Sequence, residues 1–145
     1  MSEPFSQWRV SLEQMTKTLP AEQVSMLIRK VTLEALRGII LRSPVGNPSL
    51  WKSKAPKGYV GGHFRNNWFI DINDIKPSER KAISKSGADS LSQMSKISNL
   101  GDNPYVVVYI HNSLPYARRL EYGWSTQAPH GMVNVTAQSI SAIFR

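Results

Sequence analysis

The side chains that could do acid–base or metal chemistry are scattered along this chain. Its histidines are His63, His111 and His130, and the carboxylate nearest to an aromatic-rich stretch is Glu121. A metal-dependent nuclease or hydrolase needs several carboxylates or histidines held together. The sequence has no His-x-x-x-His pair, no Gly-x-Ser-x-Gly and no phosphate-loop glycine pattern. We therefore expect a protein without enzymatic activity, bound metal or cofactor.

Glu121 belongs to a segment rich in charge and aromatic rings, residues 115–124, which we name the aromatic corner. Arg118 lies three positions before Glu121 and would share its helix face, while Arg65 and Arg119 are further candidate partners. Such a pair is either an oriented contact between elements or subunits, which gives specificity, or a surface ion pair worth little. Both interpretations are open from the sequence.

The rings of the corner suit either a core or an interface, because Tyr and Trp combine a large apolar surface with a polar group. We expect Tyr116 in the core and Trp124 at an edge. A short helix of about two turns is predicted over Tyr116–Tyr122, since Pro115 is tolerated at a helix start. Gly123 stands where a helix C-terminus favours a positive φ.

Two strands are predicted from their side-chain patterns. Tyr105–Ile110 is a run of β-branched and aromatic residues, which suits a strand buried on both faces. Phe64–Ile72 alternates, and this alternation predicts a strand that buries Trp68, Ile70 and Ile72.

Helical spacing predicts an amphipathic helix over Ser6–Leu19 and a long one over Pro20–Arg42, which ends at Ser43-Pro44. The second is apolar on more than one side, so it is either the central core helix or also meets a neighbouring subunit. A short helix within Ser90–Leu100 and a closing strand, helix or both over Met132–Phe144 complete the elements. We predict one α+β domain over residues 1–145, with a small, mainly antiparallel sheet packed against the long N-terminal helix and short additional helices.

A Pro- and Gly-rich loop spans about residues 44–62. The chain has 18 Lys and Arg against 10 Asp and Glu, a net charge of +8. A surface this positive attracts nucleic acid or an acidic protein face, although a solvated lysine-rich loop fits equally well. The rings Trp51 and Tyr59 within the loop indicate that it contacts another surface, either that of a partner or that of its own domain. The basic residues between 43 and 70 have no acidic partner nearby in sequence: Lys52, Lys54, Lys57 and Arg65.

Two stretches resemble the signature of the head–tail joining proteins of long-tailed bacteriophages, the neck or tail-completion family that includes minor tail protein Z-like members. The downstream stretch reads Asn112-x-x-Pro115-Tyr116-Ala117-x-x-Leu120-Glu121-Tyr122-Gly123, then Gln127-Ala128-Pro129-x-Gly131-Met132-Val133. The upstream stretch reads Arg42-Ser43-Pro44-Val45, then Gly62-His63-Phe64-Arg65-Asn66-Asn67-Trp68, and departs from the family pattern because residues 46–61 intervene.

The resemblance implies a non-enzymatic virion protein that completes the tail and joins it to the head connector. It would form a ring of identical subunits around the DNA channel, with a hexamer as one candidate size. Its partners would be itself, a tail terminator or tail tube protein, head connector proteins and the passing phage DNA, with no membrane. It would act at the head–tail junction of the virion after assembly in the host cytoplasm. The candidate interface residues are Trp51, Arg65, Tyr116, Arg118, Arg119, Glu121, Tyr122 and Trp124, and the candidate basic channel residues are Lys52, Lys54 and Lys57.

A nucleic-acid-binding module is the alternative. Aromatic rings in a basic loop are a combination that stacks and clamps single strands. Against it, the rings do not occupy alternate positions of neighbouring strands, as a stacking platform requires.

Overall fold

The computed structural model describes residues 19–46, 57, 59–98, 100 and 105–143. Its elements, in chain order, are helix α1 (Ala21–Arg42), strand β1 (Phe69–Ile72), helices α2 (Ala88–Ser92) and α3 (Met94–Ser98), strand β2 (Val108–His111), and helices α4 (Ala117–Glu121) and α5 (Val133–Ile143). The predicted α+β class, with one long N-terminal helix, a small antiparallel sheet and short helices, is confirmed. The predicted helix Ser6–Leu19 falls almost wholly outside the described residues.

Helix α1 confirms the predicted long helix and has clear reasons for its ends. Pro20 precedes it with an extended backbone, where its missing N–H removes no helical bond. At the other end Ser43 is extended because Pro44 follows it. The Ser43 hydroxyl donates to the Ile39 carbonyl at 2.7 Å, which satisfies one of the last free carbonyls of the helix. The buried apolar residues of α1 are Val24, Val31, Leu36, Ile39 and Ile40.

Strands β1 and β2 pair antiparallel, with Ile70 opposite Ile110 and Phe69 opposite His111. Ile70, Val108 and Ile110 face the core. The prediction that Tyr105–Ile110 is buried on both faces is wrong. Val107 is 51% exposed, so the outer face of this small sheet is not covered as the β-branched run suggested.

The predicted strand Phe64–Ile72 begins only at Phe69. Residues 63–66 form a turn instead, in which the Asn66 N–H donates to the Gly62 carbonyl at 3.2 Å. Trp68 and Ile70 are buried, as the alternating pattern predicted. The pattern missed the turn because Asn66 is buried too, but as a polar residue whose amide has its own partners.

Residues 73–86, which we name the strap, have no helix or strand and lie across this turn. Buried asparagines hold the strap. The Asn67 Oδ1 accepts from the Arg80 N–H at 2.7 Å, and its Nδ2 donates to the Arg80 carbonyl at 3.0 Å. The Asn66 Nδ2 donates to the Ala82 carbonyl at 3.1 Å. Side-chain amides therefore replace the backbone pairing that an irregular segment lacks.

The core lies between α1, the sheet and the segments around α4 and α5. Phe64 and Trp68 meet edge to face with centroids 5.8 Å apart, and the Trp68 Nε1–H donates to the Ser43 hydroxyl at 2.8 Å. Helix α5 packs on α1. The fully or nearly buried apolar members of the cluster are Leu36, Ile39, Ile40, Phe64, Trp68, Ile70, Ile97, Leu114, Ala128 and Met132.

Replacement of Trp68 tests this core. Trp68→Ala should lower the free energy of unfolding by about 3–5 kcal/mol, because it leaves a large cavity. Trp68→Phe keeps a six-membered aromatic ring and removes the N–H that bonds Ser43, so the decrease in the free energy of unfolding should be smaller. Urea denaturation measures both values. A loss below about 1 kcal/mol for Trp68→Ala is the size expected of a surface site and would contradict its place in the core.

The asparagine anchor of the strap can be tested separately. Asn67→Ala removes both bonds to Arg80 and leaves the half-buried Arg80 N–H without its acceptor, so we expect a loss of about 1–3 kcal/mol. Ser78→Ala is the control, because its hydroxyl is exposed and bonds only within the strap. Hydrogen exchange at the Arg80 amide should accelerate in Asn67→Ala alone. Unchanged exchange there would show that Asn67 does not hold the strap.

Candidate functional site

The aromatic corner is built on α4, which the sequence predicted. Leu114 is buried before it, and Gly123 ends it with φ +87°, as expected. The Gly123 N–H donates to the Leu120 carbonyl at 3.2 Å and the Trp124 N–H donates to the Arg119 carbonyl at 3.2 Å. This pair of bonds is the Schellman motif, and it fixes where the chain leaves the helix. Trp124 is thus held by the backbone of the corner.

The inner face of α4 packs on the core through Tyr116, Ala117 and Leu120. Tyr116 contacts Phe64 with ring centroids 5.9 Å apart, and its hydroxyl lies 3.3 Å from His63 Nδ1. Burial raises the pKa of Tyr116, and the nearby Tyr59 and Glu79 groups add to the rise. Tyr116, expected in the core, is therefore half-buried and packs against the core.

The outer face of the corner exposes its largest rings. Tyr122 is 80% exposed and Trp124 is 68% exposed. The Arg119 guanidinium carbon lies 5.0 Å from the centroid of the Trp124 ring, a cation–π distance. This exposure agrees with the prediction that Trp124 lies at an edge. An open depression brings these groups together, lined by Pro115, Arg118, Arg119, Tyr122, Gly123 and Trp124.

Glu121 has a different role from the predicted ion pair. Its Oε1 accepts from the backbone N–H of Met132 at 3.1 Å and of Val133 at 2.8 Å, and its Oε2 accepts from that of Asn134 at 3.2 Å. Within the described part of the chain, the ion pairs closer than 4.0 Å do not include Glu121. The first N–H groups of a helix have no partner within it, and a carboxylate there also suits the helix dipole. Glu121 is the cap of α5.

The corner and α5 approach closely because position 131 is glycine. Gly131 has φ +85°, and a Cβ on it would overlap the Glu121 carboxylate. Any other residue would be strained in backbone and would displace the cap. The sequence does carry a signal for this contact. Gly131 stands just before an apolar helical pattern, and the start of that pattern has no Ser, Thr, Asp or Asn to cap it.

Gln127 joins the same region to the beginning of the long loop. Its Oε1 accepts from the Val45 N–H at 3.0 Å and its Nε2 donates to the Val45 carbonyl at 2.8 Å. The next residue, Ala128, is buried in the core. The two halves of the downstream stretch therefore contact each other through Glu121 and Gly131, whereas Gln127 connects the second half to Val45 of the upstream stretch.

Arg65 lies away from the corner and serves the C-terminus of α1. Its Nε and Nη2 donate to the Ser43 carbonyl at 3.0 and 2.7 Å, and its Nη1 donates to the Lys85 carbonyl at 2.9 Å. Burial lowers the pKa of Arg65. Its guanidinium thus satisfies backbone carbonyls at the helix end, a role that the sequence did not indicate.

Of the basic loop, the structure places Lys57, which is exposed. Trp51, Lys52 and Lys54 are outside the described residues. The loop ends meet, since a Cβ on Gly61 would lie 3.0 Å from the backbone nitrogen and carbonyl carbon of Gly46. The two ends of the loop thus lie side by side on the domain.

The histidines do not form one site. His111 Nε2 and Asp71 Oδ2 are 2.7 Å apart, and His63 bonds Tyr116 and the Arg80 carbonyl. Burial opposes the charge of Asp71, yet bonds to the Lys76 N–H and to His111 hold its pKa below the usual value. Over the described ranges, no three His, Cys, Asp or Glu side chains come together in a way that could hold a metal ion. None of the described helices has the length and hydrophobicity to cross a membrane.

Comparison of the chain with protein-family models, with curated proteins and with solved structures finds no match.

The cap predicts a stability difference between neighbouring charges. Glu121→Ala removes the acceptors of three N–H groups and should destabilise the fold by about 1–3 kcal/mol. Arg118→Ala should change stability by less than about 0.5 kcal/mol, since Arg118 is exposed. Thermal or urea denaturation of both variants and of the double variant measures this. Equal losses of stability in the single variants, with no further loss in the double variant, would instead indicate an ion pair between Arg118 and Glu121.

Proposed function

We propose that this protein is a non-enzymatic virion protein of a tailed bacteriophage, which completes the tail and joins it to the head connector. The proposal rests on the resemblance of residues 112–133 and on one structural observation. The residues of that stretch that face outward form an exposed aromatic and cationic surface, whereas the others hold it in place. Such surfaces are enriched at protein interfaces.

The outer surface of the corner has the composition of an interface hot spot. Trp, Tyr and Arg dominate binding energy when a partner covers them. Tyr122 and Trp124 expose most of their area, and Arg119 lies over the Trp124 ring. The backbone bonds at Gly123 and the Glu121 cap hold the supporting chain rigid. A preorganised surface loses little conformational entropy when it binds.

A ring of identical subunits needs two different patches on each subunit. The corner is one, and α1 offers the second, since Met26 and Leu41 expose their apolar side chains on it. The net charge of +8 suits a protein that surrounds DNA, and the basic loop with Lys57 would face the channel. No chemistry is required of such a protein.

Complementation tests the proposal. In a phage that lacks this protein, the double variant Tyr122→Ser/Trp124→Ser should fold but yield few infectious particles, because tails would fail to join heads. Ile83→Ser is the matched control: Ile83 is also a large apolar residue, 46% exposed, but lies on the strap. Circular dichroism checks that all variants fold. Particle yields equal to the control would remove the corner from the joining surfaces.

Sedimentation of the purified protein separates this proposal from a nucleic-acid-binding module. A joining protein should form particles larger than a dimer, or associate with its tail or head partners, in the absence of nucleic acid. A nucleic-acid-binding module should instead form larger particles only when single-stranded DNA or RNA is added.

A further inference from the structure

Strand β2 has one edge paired with β1 and one edge that no described residue bonds. The Asn73 N–H donates to the Val107 carbonyl at 2.7 Å, and Tyr109 is the residue opposite Asp71. Odd-numbered residues of β2 therefore exchange their backbone bonds with β1. The N–H and C=O groups of Val108 and Ile110 point the other way, and no hydrogen bond from the described residues reaches them.

Side chains occupy the middle of the opposite edge of the sheet. The Ile70 N–H donates to Gln93 Oε1 at 3.2 Å, and the Ile70 carbonyl accepts from Lys96 Nζ at 2.9 Å. The Trp68 N–H donates to the Ser90 hydroxyl at 2.9 Å. Side chains from α2, α3 and the residue between them thus bond Trp68 and both outward groups of Ile70, in the middle of β1. Among the described strands, β2 alone has two outward-facing residues, Val108 and Ile110, without such bonds.

The β2 edge also lacks the usual protection against strand addition. Proteins protect open edges with lysines, prolines or bulges. The run Tyr-Val-Val-Val-Tyr-Ile at residues 105–110 contains no charge and no proline. Val107, on the outer face, is 51% exposed. A two-stranded sheet is marginal by itself, and further strands stabilise it.

We propose that β2 pairs with β2 of a second copy of this chain, antiparallel across a twofold axis. Each copy offers the same edge, and an antiparallel pair of identical edges is self-complementary. The segment is neutral, so the +8 charge of the chain places no repulsive pair within the contact. Since side chains already bond both outward groups of Ile70 in the middle of β1, the edge that remains for strand pairing between described parts of two copies is that of β2.

The geometry also gives the register. Val108 of one copy bonds Ile110 of the other, and the reverse, so that both outward-facing residues of β2 are used. Tyr109 then lies on the twofold axis and faces its own counterpart. The result is a four-stranded sheet in the order β1-β2-β2-β1. This pairing goes beyond the proposed function and uses residues outside the corner, so each can fail without the other.

Oligomeric state as a function of concentration tests the pairing. The wild-type protein should show a monomer–dimer equilibrium by analytical ultracentrifugation, because one strand edge is smaller than a standard interface. Val107→Lys places a charge on each edge and should raise the dissociation constant at least about tenfold. Val107→Thr is the matched control, since it stays β-branched and neutral. A monomer at all concentrations, or a dimer unaffected by Val107→Lys, would overturn the proposal.

The absence of cysteine from the chain allows a test of register. Facing residues of a non-hydrogen-bonded antiparallel pair have Cα atoms about 4.5 Å apart, within disulfide range. Tyr109→Cys should therefore cross-link to a dimer under mild oxidation. Position 107 is more exposed than position 109, but Val107→Cys should not cross-link. Residue 107 of the other copy would lie four positions away, about 13 Å along the strand. Equal cross-linking of the two variants would contradict the twofold axis at Tyr109.

Discussion

One carboxylate determines how the C-terminal third of this domain is arranged. Glu121 accepts the backbone N–H groups of Met132, Val133 and Asn134, so helix α5 starts against the end of α4. Helix α5 in turn packs on α1, where the Arg42 guanidinium donates to the Thr136 hydroxyl at 3.4 Å. The aromatic corner is thereby fixed relative to the long helix. A helix without a capping residue of its own receives its cap from a neighbouring element.

Side-chain amides make similar connections wherever the chain is irregular. Asn67 pairs with both backbone groups of Arg80, and Gln127 pairs with both backbone groups of Val45. An amide has a donor and an acceptor side by side, as a neighbouring strand would present them. Segments that lack secondary structure are held in this way without a large apolar surface. Loss of the Asn67 amide would leave the Arg80 N–H without an acceptor, and this is the reason for the stability effects expected at Asn67.

The sequence predicted the features that depend on local patterns. The length of α1 follows from helical spacing between two prolines, Gly123 follows from the preference for positive φ, and the burial of Trp68 follows from alternation. The missed features depend on contacts distant in sequence. A run of β-branched residues does not reveal whether a sheet is covered on its second face. For Glu121, helical spacing favoured Arg118 as the partner, whereas the observed partners are backbone N–H groups eleven to thirteen positions later.

The corner and the β2 edge are suited to different kinds of contact. The corner presents side chains, and recognition there would depend on which pockets a partner offers to Tyr122 and Trp124. The β2 edge presents backbone groups, and any antiparallel copy of the same strand satisfies them. Because α4 is the next element after β2 in the chain, a strand added at β2 would also stabilise the segment that leads into the corner.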